Sequence, residues 1–285
     1  MTDTSATRPD IDPILKMLLD AVPLEFTIDD GVDVAREKLR ALKPPAELLP
    51  DMRIEERTVD FGELTDVPVR IYWPPIDAHD HLPIVVFYHG GGWSIGDLDT
   101  HDHVARAHAV SAEAIVVSVD YRLAPEHPFP EGVEDAWAAL RWVGEHAAEL
   151  GGDPARIAVA GDSAGGNLAD APILSPDVVA AFLAWYLPDV DMSDPTALST
   201  DLAPANAKSL AGLPPAYIGT AEHDPLRDDG GKYAELLAAG GVSVVLSNEP
   251  TMAHGFISLA LAVPAAAEAT DRGLAALKAA LHPTR

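Results

Sequence analysis

A serine set between glycines has the residue types and spacing of a nucleophile. Residues 161–165 read Gly-Asp-Ser-Ala-Gly, directly after an apolar run at 157–160 and before a helical pattern. This is the G-x-S-x-G pattern in its strand–turn–helix setting, which exposes the serine on a tight turn. Glycine is required at Gly161 and Gly165 because a β-carbon there would crowd the turn. The turn also sets Ser163 at the start of a helix, whose dipole favours negative charge nearby.

A second glycine cluster supplies backbone amides. Residues 89–93 read His-Gly-Gly-Gly-Trp after the apolar run at 84–88. Attack of a serine on a carbonyl group creates an oxyanion, which N–H groups already in place must stabilise. The N–H groups of Gly91, Gly92 and Ala164 are the predicted donors. By itself the cluster also fits a turn or a phosphate-binding nest, but the serine motif further along favours an oxyanion hole.

An activated serine needs a general base. Downstream of Ser163 the sequence offers His223, His254 and His282. His282 lies in the terminal tail, where chains fray, and His223 directly precedes an Asp-Pro pair. His254 follows the apolar run at 242–246, at the sheet end where the catalytic groups should converge. His254 is the predicted base.

The base in turn needs an acid that orients it. Asp224 follows the apolar run at 215–220, whereas Asp228 and Asp229 suit the start of a helix, where carboxylates complement the dipole. The chain order of serine, then acid, then histidine is that of α/β-hydrolases. The predicted relay is therefore Ser163, His254 and Asp224.

Short apolar runs alternate with helical patterns along most of the chain. Runs of β-branched residues that are apolar on both faces are typical of buried parallel strands. They lie at 84–88, 114–119, 157–160, 215–220 and 242–246. Helical patterns lie at 102–112, 131–150, from 163 onward, at 229–240 and at 264–281. The alternation predicts an α/β fold with a mostly parallel, doubly wound sheet.

The N-terminal part has a different pattern. Apolar spacing predicts helix over 11–43, which Pro44–Pro45 must stop because proline lacks the N–H donor. Arg53–Phe61 and Val67–Trp73 then predict two strands of an antiparallel hairpin.

Composition limits the partners. The chain has 45 acidic and 19 basic residues and a net charge of −26, which disfavours nucleic acid and anionic membrane surfaces. The absence of cysteine excludes disulfides, thiolate metal sites and cysteine nucleophiles. The first residues lack the apolar core of a secretion signal, and no apolar run is long enough to span a bilayer. We expect a cytoplasmic protein without stable membrane insertion.

Five sequence blocks, in order, resemble those of the bacterial hormone-sensitive-lipase-like esterases, in the GDSAG branch of that family. They are residues 89–93, the YRLAPEHPFP stretch at 121–130, residues 161–166, the DPLRD stretch at 224–228 and residues 254–256. The resemblance implies an α/β-hydrolase core at 51–169 and 214–285. It also implies a helical cap formed by residues 1–50 and an insertion at 170–213.

The resemblance implies an activity as well: hydrolysis of short- to medium-chain acyl esters through an acyl-enzyme, with no metal or cofactor. A homodimer is compatible with it, since relatives often dimerise. It places the triad on Ser163, Asp224 and His254. Residues that support the oxyanion loop or the elbow are expected at His89, Asp162, Tyr121, Glu126 and His127.

Two other functions fit the same residues. One is an amidase such as an aryl-formamide hydrolase, since related hydrolases share a His-Gly-Gly loop. The other is a non-catalytic ligand receptor on the same fold, although such receptors have lost a triad member and this chain keeps all three. Trp93, beside the oxyanion loop, either walls the substrate pocket or packs in the core.

One stretch departs from the family's pattern. The helix that begins at Ser163 meets Pro172 after about two turns, and 178–185 then reads as a cap helix. No strand pattern lies between them, although the fold needs another buried parallel strand there. We hypothesise that about twenty residues or more are missing between Asn167 and Pro172. An intact mass of 30.1 kDa would instead show the chain to be whole.

Two pairs of histidines have the spacing of metal ligands, His79 with His81 and His101 with His103. Neither pair has a third ligand at a familiar distance. Both lie in polar stretches, and solvated histidines are the prediction.

Overall fold

The computed structural model describes residues 8–21, 28–62, 64–77, 81–169 and 176–283. Its strands are β1 (Arg53–Phe61), β2 (Leu64–Trp73), β3 (Leu82–Tyr88), β4 (Ile115–Val119), β5 (Gly152–Gly161), β6 (Ala216–His223) and β7 (Val244–Ala253). Its α-helices are α1 (Pro13–Ala21), α2 (Val32–Arg40), α3 (Asp102–Ala112), α4 (Glu131–His146), α5 (Ala164–Ala169), α6 (Pro176–Tyr186), α7 (Arg227–Ala239) and α8 (Pro264–Leu281). The predicted alternation of strands and helices is confirmed.

Five strands form one sheet in the order β1-β2-β4-β3-β5. The predicted hairpin of β1 and β2 is antiparallel, β2 pairs antiparallel with β4, and β3 runs parallel to β4 and β5. β3 is buried along its whole length because helices cover both faces. Ile84 and Val86 pack in the cluster that contains α4, whereas Val85 and Phe87 pack in the cluster that contains α3.

The remaining two strands, β6 and β7, form a separate parallel pair. Among the described residues, no strand joins β5 to β6, so the continuous parallel sheet expected from the sequence is interrupted here. The physical reason is chain length, since only residues 170–175 separate α5 from α6. A parallel strand needs a crossover connection of a dozen or more residues. Residues 170–175 and the predicted junction at Pro172 lie outside the described ranges.

Helix α8 connects the two sheets. Near its end, Leu277 and Leu281 pack in the same cluster as Ala158 and Ala160 of β5. Nearer its start, α8 contributes to the cluster that contains Ala221 of β6. The helix therefore buries apolar surface from both sheets and holds them in one molecule.

The N-terminal segment contains helices α1 and α2, as the spacing predicts for 11–43, with residues 22–27 outside the described ranges. Helix α2 ends at Arg40, before the two prolines. Its Ala35 packs with Ile95 of the oxyanion loop and with Phe182 of α6. Helices α2 and α6 thus meet above the glycine-rich loop.

Candidate active site

Ser163 lies on a strained turn between β5 and α5. Its φ of +63° is in the left-handed region, which residues other than glycine rarely adopt. A β-carbon at Gly161 would overlap the backbone of Gly165, and one at Gly165 would overlap the carbonyl of Tyr88. The glycines of the motif therefore permit a turn that brings the elbow against β3.

The glycine-rich loop after β3 follows an unusual backbone path. Gly91, Gly92 and Trp93 all have positive φ values, of 124°, 57° and 57°. The N–H groups of Ser94 and Ile95 both donate to the carbonyl of Gly91, at 3.1 and 2.9 Å. Within the described part of the chain, the N–H groups of Gly91 and Gly92 have no acceptor. These two amides are available to an oxyanion.

Asp162 links this loop to the elbow. Its Oδ1 accepts a hydrogen bond from the Gly90 N–H at 3.1 Å, and its Oδ2 lies 3.6 Å from His101 Nε2. Burial opposes ionisation of the carboxyl, but the nearby His101, His89 and His254 outweigh it and lower the pKa of Asp162. A charged Asp162 therefore fixes the start of the oxyanion loop next to Ser163.

His89 and Tyr121 brace the loop from beneath. Their rings stack at 4.4 Å, and the Tyr121 hydroxyl donates to the His89 carbonyl at 2.7 Å. His89 Nδ1 lies 2.8 Å from the Gly90 carbonyl. Full burial, with a smaller contribution from His101, lowers the pKa of His89 to about 4. His89 is thus neutral near pH 7 and donates from Nδ1.

Arg36 of α2 holds the far end of the loop, a role that the sequence analysis missed. Its Nε donates to the Ser94 carbonyl at 2.9 Å, and its Nη2 donates to the Ala124 carbonyl at 3.0 Å. Both Nη atoms also bond Glu126, each at 2.7 Å. A signal was present, because Arg36 follows Val32 by four positions and so falls on the apolar face of α2.

Glu126 is thus joined to the glycine-rich loop through Arg36. His127 lies one step further out, with Nδ1 2.8 Å from Glu131 Oε2. It bonds α4 rather than the oxyanion loop.

Aromatic residues of α6 cover the loop from the other side. The Trp93 and Tyr186 rings stack at 4.6 Å, almost in parallel, and Trp93 is only 5% exposed. A β-carbon at Gly92 would overlap the ring of Phe182. Trp93 therefore packs between the core and the cap helix in this structure.

The predicted acid and base lie next to each other on the loops after β6 and β7. His254 Nδ1 is 2.8 Å from Asp224 Oδ2, and Asp224 Oδ1 accepts from the Leu226 N–H at 2.9 Å. Burial raises the pKa of Asp224, but the hydrogen bond from His254 and the charge of His254 lower it by more, so that the net shift of the pKa is downward. With Nδ1 donating to this carboxylate, His254 Nε2 is left as an acceptor. Asp228 and Asp229 lie in the first turn of α7, as expected.

The segment after His254 is anchored to the five-stranded side. Ile257 packs in the cluster of Phe87 and Val85, and the Ser258 carbonyl lies 3.1 Å from His103 Nε2. The loop that carries the histidine is thus held against the half that carries Ser163.

The prediction of solvated histidines is wrong for one pair. His101 is 5% exposed and His103 is 8% exposed, because both lie at the start of α3 against the core. His101 Nε2 lies 3.6 Å from Asp162 Oδ2, and His103 Nε2 is hydrogen-bonded to the Ser258 carbonyl at 3.1 Å. His81 is exposed, and His79 is outside the described ranges. Across those ranges, no cluster of three or more metal-ligating side chains occurs.

None of the helices within the described ranges combines the length and the apolar character needed to cross a bilayer.

Comparison with known proteins places this geometry in a family. A family model described as alpha/beta hydrolase fold matches residues 85–171 and 168–258. The chain is 64% identical to the carboxylesterase NlhH of Mycobacterium tuberculosis, over 99% of this chain and 100% of that protein. It is 47% identical to the esterase LipI of the same organism, over 99% of both chains.

Solved structures support the same family assignment. The crystal structure of DphMB1 superposes with a TM-score of 0.87 at 50% identity, over 96% of this chain and 100% of that chain. An esterase from Pyrobaculum calidifontis superposes with a TM-score of 0.84 at 36% identity, over 94% and 98% of the two chains.

The interruption of the sheet lies in a part of the chain where the match to the family is also interrupted. The alignment with NlhH spans 320 positions against 285 residues here, so at least 35 aligned positions have no residue in this chain. The two matches of the family model meet at 168–171, which locates an interruption after α5 begins. Relative to its family, the chain therefore lacks a segment where the strand pattern failed. With its elbow, glycine-rich loop and overall likeness, this chain belongs to the α/β-hydrolase family, among the hormone-sensitive-lipase-like esterases.

Proposed function

We propose that this chain is a carboxylesterase that hydrolyses short- to medium-chain acyl esters through an acyl-enzyme on Ser163. The 2.8 Å contact between His254 Nδ1 and Asp224 carries the proposal. It fixes the tautomer in which Nε2 can accept a proton, on a loop held against the half that carries Ser163.

Each residue has a distinct task in the proposed reaction. Ser163 Oγ attacks the ester carbonyl carbon while His254 Nε2 takes the hydroxyl proton. When the bond between the acyl carbon and the alcohol oxygen breaks, the imidazolium gives that proton to the departing alcohol. A water molecule then attacks the acyl-enzyme with His254 again acting as base, and it releases the carboxylic acid. Asp224 stabilises the imidazolium in both steps.

The oxyanion formed in each step is assigned to the amides of Gly91, Gly92 and Ala164. The first two lack acceptors within the described residues, and the third begins α5, where the helix dipole adds to the attraction. One such donor is worth about 10²–10³ in rate. His89, Asp162, Tyr121 and Glu126 act by holding these amides in place.

The cap is the proposed determinant of acyl-chain length. The division into cap (1–50 and 170–213) and core (51–169 and 214–285) is supported by α2 and α6, which pack together over the oxyanion loop. Side chains from these helices, Phe182 and Tyr186 among them, set the space beside Gly92 and Trp93.

A series of p-nitrophenyl esters from acetate to decanoate, with matched anilides, tests the proposal. We expect turnover of the short and medium esters, slow or absent anilide cleavage, and loss of turnover in Ser163→Ala. Ser193→Ala, on an exposed loop, is the matched control and should behave as wild type. Faster anilide than ester turnover would make the chain an amidase. Binding of esters without turnover would make it a receptor.

A further inference from the structure

The strands β5 and β6 each have one edge without a strand partner among the described residues. Within the described ranges, β5 pairs only with β3, and β6 pairs only with β7. Burial reflects this difference, because β3 is buried throughout whereas Val159 of β5 is 41% exposed. An open edge displays N–H and C=O groups ready to pair with another strand.

The open edges of β5 and β6 border the same gap between the two sheets. Helix α8 packs with Ala158 and Ala160 of β5 near its end and with Ala221 of β6 nearer its start. The chain also superposes on an α/β-hydrolase over 96% of its length with a TM-score of 0.87. Both sheets therefore keep the placement that they have in the family, and the space between β5 and β6 corresponds to an interior position of the sheet.

The family match is interrupted in the part of the chain that connects β5 to β6. At least 35 aligned positions of NlhH have no counterpart here, and the family match is interrupted at 168–171, between β5 and β6 in the chain. Strands average about 5–6 residues and helices about 11–12, so 35 positions hold the rest of a helix and one strand.

We propose that the space between β5 and β6, the β5–β6 slot, is a strand-acceptor site for an extended segment of the kind that the relatives carry at the interruption. The segment pairs with both open edges through main-chain hydrogen bonds. Strands in this position are apolar on both faces. A second copy of this chain is disfavoured as the occupant, because both copies carry a net charge of −26. The proposal does not depend on the esterase activity.

The test uses the full-length chain and a synthetic peptide made of the NlhH residues that align with the interruption. Native-state hydrogen exchange is measured with and without the peptide. At about ten times the dissociation constant, the amides of β5 and β6 that are not bonded to β3 or β7 should exchange about tenfold more slowly. The outer edge of β1 should not change.

Two controls make the result specific. A peptide of the same composition with prolines at alternate strand positions cannot pair and should give no protection. Val159→Asp places a charge beside the slot and should weaken binding at least tenfold, whereas Val245→Asp, at a 54% exposed position on β7, should not. No protection at saturating peptide, protection at β1 or the outer edge of β7 instead, or equal protection by the proline peptide would overturn the proposal.

Discussion

The two sheets of this molecule hold their functional groups in different ways. On the five-stranded side, β3 and β4 are wholly buried, and the glycine-rich loop is fixed by Asp162, Tyr121 and Arg36. On the two-stranded side, β6 and β7 are only partly buried, and a single contact joins Asp224 to His254. The geometry inside each half is therefore set locally, whereas the relation between the halves depends on α8 and on the segment after His254.

If both halves form one catalytic unit, damage to either should remove most of the activity. Asp224→Asn should lower kcat by about 10⁴, because the amide favours the wrong imidazole tautomer and cannot stabilise the imidazolium. The loss should not add to that of Ser163→Ala in the double variant. Kinetics with p-nitrophenyl butyrate measure both effects.

The matched control for this experiment is Asp228→Asn, at an exposed carboxylate in the first turn of α7. It should leave kcat within about twofold, since exposed substitutions of this kind have small effects. A loss below tenfold in Asp224→Asn would show that Asp224 does not orient the catalytic base.

The connection between the halves is tested through stability. Leu281 is 4% exposed at the end of α8, in the cluster of Ala158 and Ala160. Leu281→Ala should lower the free energy of unfolding by about 3 kcal/mol, from lost burial and the cavity that remains. Leu261→Ala, at a 53% exposed position, should change it by less than about 0.5 kcal/mol. Equal losses of unfolding free energy in the two variants, measured by urea denaturation, would contradict the conclusion that α8 connects the two sheets.

Acid should weaken the five-stranded side through its buried histidines. Burial lowers the pKa of His89 to about 4 from an ordinary value of 6.5. At a pH between these two values, His89 is protonated in the unfolded chain and neutral in the folded chain. The contribution of His89 to the free energy of unfolding is fully present above pH 6.5 and decreases as the pH falls towards 4. The expected decrease between pH 7 and pH 4.5 is about 2 kcal/mol. The pKa values of His103 and His108 are also lowered by burial and add to the slope.

His89→Asn removes this titration while keeping a donor towards the Gly90 carbonyl. Its free energy of unfolding, measured by urea denaturation from pH 7 to 4.5, should fall by about 2 kcal/mol less than that of wild type. Identical slopes would show that His89 is not held neutral.

The smallest effect is expected from the support of the oxyanion loop by α2. Arg36→Ala should lower kcat about tenfold with little change in KM, because the loop loses two carbonyl contacts and the donors move from their best position. Arg40, at the end of the same helix, is 58% exposed and pairs with the Asp97 carboxylate instead of with a carbonyl of the loop, so Arg40→Ala should leave kcat unchanged. Similar losses in both variants would point to general disturbance of α2.

Patterns that depend on neighbouring residues were predictable from the sequence. The elbow at Ser163, the apolar strands and the placing of Asp224 and His254 after consecutive strands all follow from local spacing. The absence of a strand was also predictable, because the fold needs another buried parallel strand after the helix that begins at Ser163 and no strand pattern lies there. Contacts between distant parts were not visible: Arg36 reaches the loop from a helix with no motif, and His101 and His103 are buried by packing that a polar local sequence does not indicate.

Labelling with a p-nitrophenyl alkylphosphonate tests the central account most directly, because it requires a nucleophile activated by a base from the other half. Intact mass and peptide mapping should show one adduct per chain, on Ser163, formed far more slowly in His254→Ala and not at all in Ser163→Ala. An adduct on another residue, or labelling of Ser163 at the same rate without His254, would contradict a single site assembled from the two sheets.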